Sequence, residues 1–73
     1  MLNTKITLKK FEIFYPGHDE MVEVGDKSIK LGEVSRIVYN EMDREIKVFY
    51  EEKNEITVYN IDKAHYYTLW IVD

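Results

Sequence analysis

Apolar residues recur at alternate positions through three stretches of the chain, "IVYN" from Ile37, "EIKVFY" from Glu45 and "ITVY" from Ile56. A period of two puts successive side chains on opposite faces of an extended strand. Together with the many β-branched residues, it argues against one helix running from Glu33 to Asn54 and for a three-stranded antiparallel meander. A three-residue loop, Glu52-Lys53-Asn54, sets Tyr50 opposite Ile56 and Val48 opposite Val58; a two-residue Lys53-Asn54 loop, which pairs Glu51 with Ile56, is the weaker choice. A loop at Asp43-Arg44 sets Tyr39 opposite Val48 and Ile37 opposite Tyr50, with a longer loop starting at Asn40 as the alternative.

In that register one face reads Ile37, Tyr39, Ile46, Val48, Tyr50, Ile56 and Val58. The reverse face reads Val38, Lys47, Phe49, Thr57 and Tyr59. Both faces carry apolar groups, so two things must cover the meander, and the second is either more of this chain or another molecule.

The rest of the chain supplies the first cover. In "TKITLKKFEIFY" the apolar positions change parity, from Ile6 and Leu8 to Phe11, Ile13 and Tyr15, which predicts a bulge at Lys9-Lys10 or a strand that switches faces. Pro16-Gly17 reads as a turn. Gly25-Asp26 fits a two-residue hairpin with Val22 opposite Ile29. "NIDKAH" fits one helical turn capped by Asn60 or Asp62, and "YYTLWIVD" reads as a last strand. The expected fold is mostly β: one domain over residues 1–73, five or six short antiparallel strands in a bent sheet or small SH3-like or OB-like barrel, and at most one helical turn. Its core should include Ile13, Ile37, Val48, Tyr50, Ile56, Val58, Leu69 and Ile71.

With 73 residues the chain has room for a single thin core and none for a large enclosed site. It has no cysteine and two histidines, so disulfides and thiolate metal sites are excluded. His18-Asp19-Glu20 offers ligand types for a divalent cation, but without a second histidine at strand or helix spacing it reads as a solvated acidic loop, and no cofactor is expected. The few hydroxyls stand outside any strained Gly-x-Ser-x-Gly turn, three glycines make no phosphate-cradling loop, and Glu51-Glu52 sits at a hairpin tip where water keeps carboxylates ordinary. The chain is therefore expected to be no enzyme and to have no small-molecule substrate. The absence of a long apolar run or a leader-like start predicts a soluble, cytoplasmic protein without a membrane partner.

Net charge is −4, spread unevenly. Residues 1–10 carry +3, residues 11–26 carry −5, residues 27–40 carry +2, and the remainder −4. No basic block tracks phosphates, and the aromatics are flanked mainly by carboxylates. A single-stranded nucleic-acid-binding β-barrel, with bases stacked on tyrosines, is thus the alternative rather than the leading reading. The leading reading is a protein–protein interaction module or a self-associating structural protein, docked through Val38, Phe49, Thr57 and Tyr59. Residues with AT-rich codons number 32 against 7 with GC-rich codons, which fits an origin in an AT-rich bacterium or phage, where such a module would serve as a small phage or mobile-element-type regulator or inhibitor. An acidic β surface imitating DNA phosphates is one form such an inhibitor takes, although −4 with ten interspersed cations is a mild charge for it.

Overall fold

A computed structural model describes residues 4–52 and 54–72. The parity change in the first strand governs its architecture. β1 (Lys5–Tyr15) pairs along residues 5–8 with β4 (Gly32–Asn40) and along residues 10–15 with β2 (His18–Glu23). Its other edge carries β7 (Tyr66–Ile71), and that ladder shifts register between Leu8 and Lys10. The extra residue lets Leu8 and Phe11, three apart, both point inward, so the bulge expected at Lys9-Lys10 is present.

β4 repeats the device. Its ladder with β5 (Glu45–Tyr50) shifts between Val34 and Arg36, so that Val34 and Ile37 are both buried while Ser35 and Arg36 are exposed. Two adjacent bulged strands curl the sheet into a half-barrel of seven antiparallel strands. Its order is β2-β1-β4-β5-β6, with β6 spanning Ile56–Asn60 and the two-residue β3 (Lys27–Ser28) added to β4. The concave side holds the core of Leu8, Phe11, Ile13, Val34, Ile37, Tyr39, Ile46, Val48 and Ile61. No helix among the described residues is long and apolar enough to cross a membrane.

The turns of the flanking segments follow local chemistry, with one correction. Pro16-Gly17 joins β1 to β2 as a two-residue turn, Gly17 taking φ 95°. Asn60 caps the 3-10 turn Ile61–Lys63 by accepting from the Asp62 N–H at 2.8 Å, as expected. The expected Gly25-Asp26 hairpin does not form. The turn there is Glu23 to Asp26, closed by the Asp26 N–H to the Glu23 carbonyl at 3.0 Å, with Gly25 at φ 99° in its third position. The turn itself bonds to Val34 of β4, through the Gly25 N–H to the Val34 carbonyl and the Val34 N–H to the Asp26 carbonyl, and the chain runs on into Lys27–Ser28 paired with β4 instead of returning along β2. Val22 therefore faces Phe11, and Ile29 is fully exposed.

The meander departs from expectation twice, with different consequences. Between β4 and β5 the loop is longer than Asp43-Arg44 and starts one residue after Asn40: Glu41 to Arg44 connects the strands, Asn40 Oδ1 accepts from the N–H groups of Met42 and Asp43, and Arg44 takes φ 55°. Ile37 faces Val48 and Tyr39 faces Ile46, a shift of two that leaves every side chain on its expected face. Between β5 and β6 the register moves by one. Phe49 faces Ile56, Val48 faces Thr57, Lys47 faces Val58 and Ile46 faces Tyr59. The expected loop through Lys53 lies partly outside the described residues.

A one-residue slip reverses a whole strand. Ile56 and Val58, expected in the core, are 47% and 48% exposed, while Thr57 and Tyr59 turn toward the concave side. Ile71 is also exposed, at 54%, at the end of a strand whose only ladder partner among the described residues is β1. Ile13, Ile37 and Val48 are fully buried, and Tyr50 and Leu69 pack against the core from its margin.

The reversal makes a direct prediction. In denaturant melts, Val58→Ser should change stability by no more than about 0.5 kcal/mol, as surface substitutions do. Ile46→Ala should cost about 2–5 kcal/mol. Comparable losses from both would return Val58 to the core.

Candidate interaction faces

The outward side of β4, β5 and β6 gathers residues that are far apart in sequence. Lys5 faces Asn40 across the β1–β4 ladder, Val38 faces Lys47, and Arg36 faces Phe49. Together they line a shallow groove of about 200 Å³. The Arg36 guanidinium lies 4.2 Å from the centre of the Phe49 ring, within range of a cation–π contact. Ile56 and Val58 extend the apolar surface toward the edge of β6, which pairs only with β5 among the described residues. Glu45, opposite Asn40, is paired into this face, and beyond Phe49 the sheet continues with Glu33, opposite Lys27, and Glu51, whose N–H donates to the Glu33 carbonyl. The result is an apolar strip bordered by Lys5, Arg36 and Lys47 on a chain whose net charge is negative.

Val38 and Phe49 thus share a face, as expected, and Thr57 and Tyr59 do not share it. The Thr57 hydroxyl is 3.0 Å from the Tyr50 hydroxyl. The Tyr59 ring meets the Phe11 ring edge-on, with centroids 5.2 Å apart. Ile56 and Val58 take their places, and Lys5, Arg36 and Lys47 join from outside the expected set. Lys47 was legible, since it shares parity with Phe49. Arg36 shares parity with Val38 in the same way, and Lys5 arrives through the β1–β4 ladder, which no local pattern encodes.

A second concavity of about 550 Å³ opens where the half-barrel fails to close, between the Pro16-Gly17 turn and the end of β6. Tyr15, His18, Val58, Tyr59 and Lys63 line it. Tyr15 stacks on His18 with ring centroids 5.2 Å apart, and His18 Nε2 is 3.9 Å from Glu20 Oε1. Among the described residues no three His, Asp or Glu side chains are gathered closely enough to hold a metal ion. Burial, reinforced by the Glu20 carboxylate and the neighbouring Tyr50 and Tyr15, pushes the Tyr59 phenol up to about 12.

The other outward face lies across β2, β1 and β7. Phe14 stacks on Tyr66 at 4.3 Å, the Lys10 ammonium sits 4.8 Å from the Trp70 ring, and Met21 is 56% exposed beside them. Comparison with protein-family models, with curated proteins and with solved structures finds no match to the chain.

The raised Tyr59 phenol sets an alkaline limit. A tyrosine whose folded-state pKa lies above its unfolded value contributes stability that is whole below about pH 10 and is lost as pH rises through about 12. Phenolate absorbance should therefore show a late-titrating tyrosine that Tyr59→Phe removes, and the variant should lose less stability than wild type between those two pH values. A Tyr59 phenol that ionises with the exposed tyrosines would place it outside the fold.

Proposed function

We propose that this chain is a non-enzymatic protein–protein interaction module that docks its partner on the outward face of β4, β5 and β6. The observation that carries this reading is the apolar strip of Phe49, Ile56 and Val58, in which Ile56 and Val58 are half exposed and Phe49 is partly buried beneath Arg36, running to an edge strand with cations along its border. Contiguous exposed apolar surface rimmed by polar groups marks interaction sites. The edge of β6, unpaired among the described residues, also offers backbone groups to an incoming strand. The cationic border favours a partner that presents carboxylates around an apolar centre. This face gives no support to imitation of DNA phosphates, because its charge has the wrong sign.

One observation favours the single-stranded nucleic-acid reading, namely that Lys5, Arg36 and Lys47 converge beside a ring. Arg36 already lies on that ring, however, so a base would have to displace it to stack. Binding of a labelled oligonucleotide should be undetectable at physiological salt. Saturable binding that weakens steeply as salt rises would reverse the order of the two readings.

The docking reading is tested by Phe49→Ser. The variant should unfold cooperatively with wild-type secondary structure, and it should fail to retain proteins that the immobilised wild type retains from a bacterial extract. Loss of the fold instead would show that the Phe49 face serves as core and docks nothing.

A further inference from the structure

We infer that the partner seated on the Phe49 face is a second copy of this chain, which presents not the same face but the outward side of β2, β1 and β7. The inference rests on the docking reading and names its occupant. Its basis is that β1 contributes to two outward surfaces, one on each side of its bulge, and the ladders give them opposite charge.

After the bulge, Glu12 lies between Met21 and Thr68, Phe14 between Asp19 and Tyr66, and Lys10 between Glu23 and Trp70. The apolar centre is the Phe14–Tyr66 stack with Met21, and the carboxylates of Glu12, Asp19 and Glu23 stand around it. Lys10, the cation paired into this part of the ladder, lies over the Trp70 ring, with exposed Lys9 at the bulge beside it. Before the bulge, the groove at Phe49 has Lys5, Arg36 and Lys47 around its apolar strip, against Glu45. Each surface is thus an aromatic centre within charges of mostly one sign, and the sign reverses from one to the other.

Like-charged patches brought face to face across a twofold axis oppose Lys47 and Arg36 to their own copies, whereas the head-to-tail arrangement sets them against Glu12, Asp19 and Glu23. A contact between different surfaces is heterologous, so it closes into a ring if the rotation allows and otherwise extends. The surfaces occupy different strands apart from β1, so one molecule has both available at once. A standard interface takes about 800 Å² from each partner, which each of the two surfaces has to supply. A small domain without disulfides gains stability from such assembly.

Sedimentation velocity over a wide concentration range tests this. The wild type should assemble beyond a dimer as concentration rises, and less so at high salt, where surface charges are screened. Lys47→Glu spoils the basic face, and the pair Met21→Ser with Glu12→Gln spoils the acidic one. Each variant alone should sediment as a monomer. Mixed in equal amounts, they should form a complex of one copy of each that grows no further, since each retains one good face and the two are complementary.

Circular dichroism checks that both variants fold, and Arg36→Glu replaces Lys47→Glu if that one does not. A wild type that is monomeric throughout, or a mixture that stays as two monomers, overturns the second-copy occupant. If that happens while Phe49→Ser is folded and loses the proteins retained by wild type, the docking reading stands with a foreign partner. If Phe49→Ser unfolds, the docking reading itself falls.

Discussion

The rest of the structure depends on the bulge at Lys9-Lys10. A strict two-residue period running from Leu8 would carry Phe11, Ile13 and Tyr15 to the outer surface, and the core would lose Phe11, the largest of its fully buried side chains. The extra residue returns them to the concave side. It also divides β1 between β4 before the bend and β2 after it. The matching irregularity between Val34 and Arg36 in β4 lets two adjacent strands bend together, so a sheet of short strands folds over its own core.

What was legible in the sequence was what parity alone encodes. Ile6 and Leu8 against Phe11, Ile13 and Tyr15 revealed the bend in β1, and Ile37, Tyr39, Ile46 and Val48 fell on one face although their pairing was displaced by two. The bend in β4 escaped notice, yet Val34 and Ile37 are spaced as Leu8 and Phe11 are. The register of β6 had no such signal. Isoleucine, threonine, valine and tyrosine alternate in "ITVY" so that either face of the strand suits a sheet surface, and only the length of the connection from Tyr50 chooses between them. The Gly25 turn shows the same limit, since a glycine turn was recognisable while its pairing with β4 rests on contacts distant in sequence.

That slip is also what joins fold to proposed function. Had Thr57 and Tyr59 faced outward, Phe49 would stand beside a hydroxyl and a phenol. With Ile56 and Val58 there instead, the outer face of the meander becomes an apolar strip, and the concave side gains Tyr59 to close over Phe11. Val38 and Phe49 could be placed on this face from sequence because they lie within single strands. Lys47 and Arg36 share parity with Phe49 and Val38 respectively, whereas Lys5 could not be placed, because it reaches the face through the long-range β1–β4 ladder. The division of charge into a basic surface before the bulge and an acidic one after it follows from the same bend.

The contact between Phe11 and Tyr59 requires both devices at once: Phe11 is inward only if β1 bulges, and Tyr59 is inward only if β6 takes the observed register. Nuclear Overhauser effects between the two rings in solution are therefore the most direct measurement of the account. Strong cross-peaks between Phe11 and Tyr59 ring protons, with none from Tyr59 to Phe49 or Val38, are the predicted result. Cross-peaks from Tyr59 to Phe49 and none to Phe11 would return Tyr59 to the outer face and contradict both the fold and the interaction surface built on it.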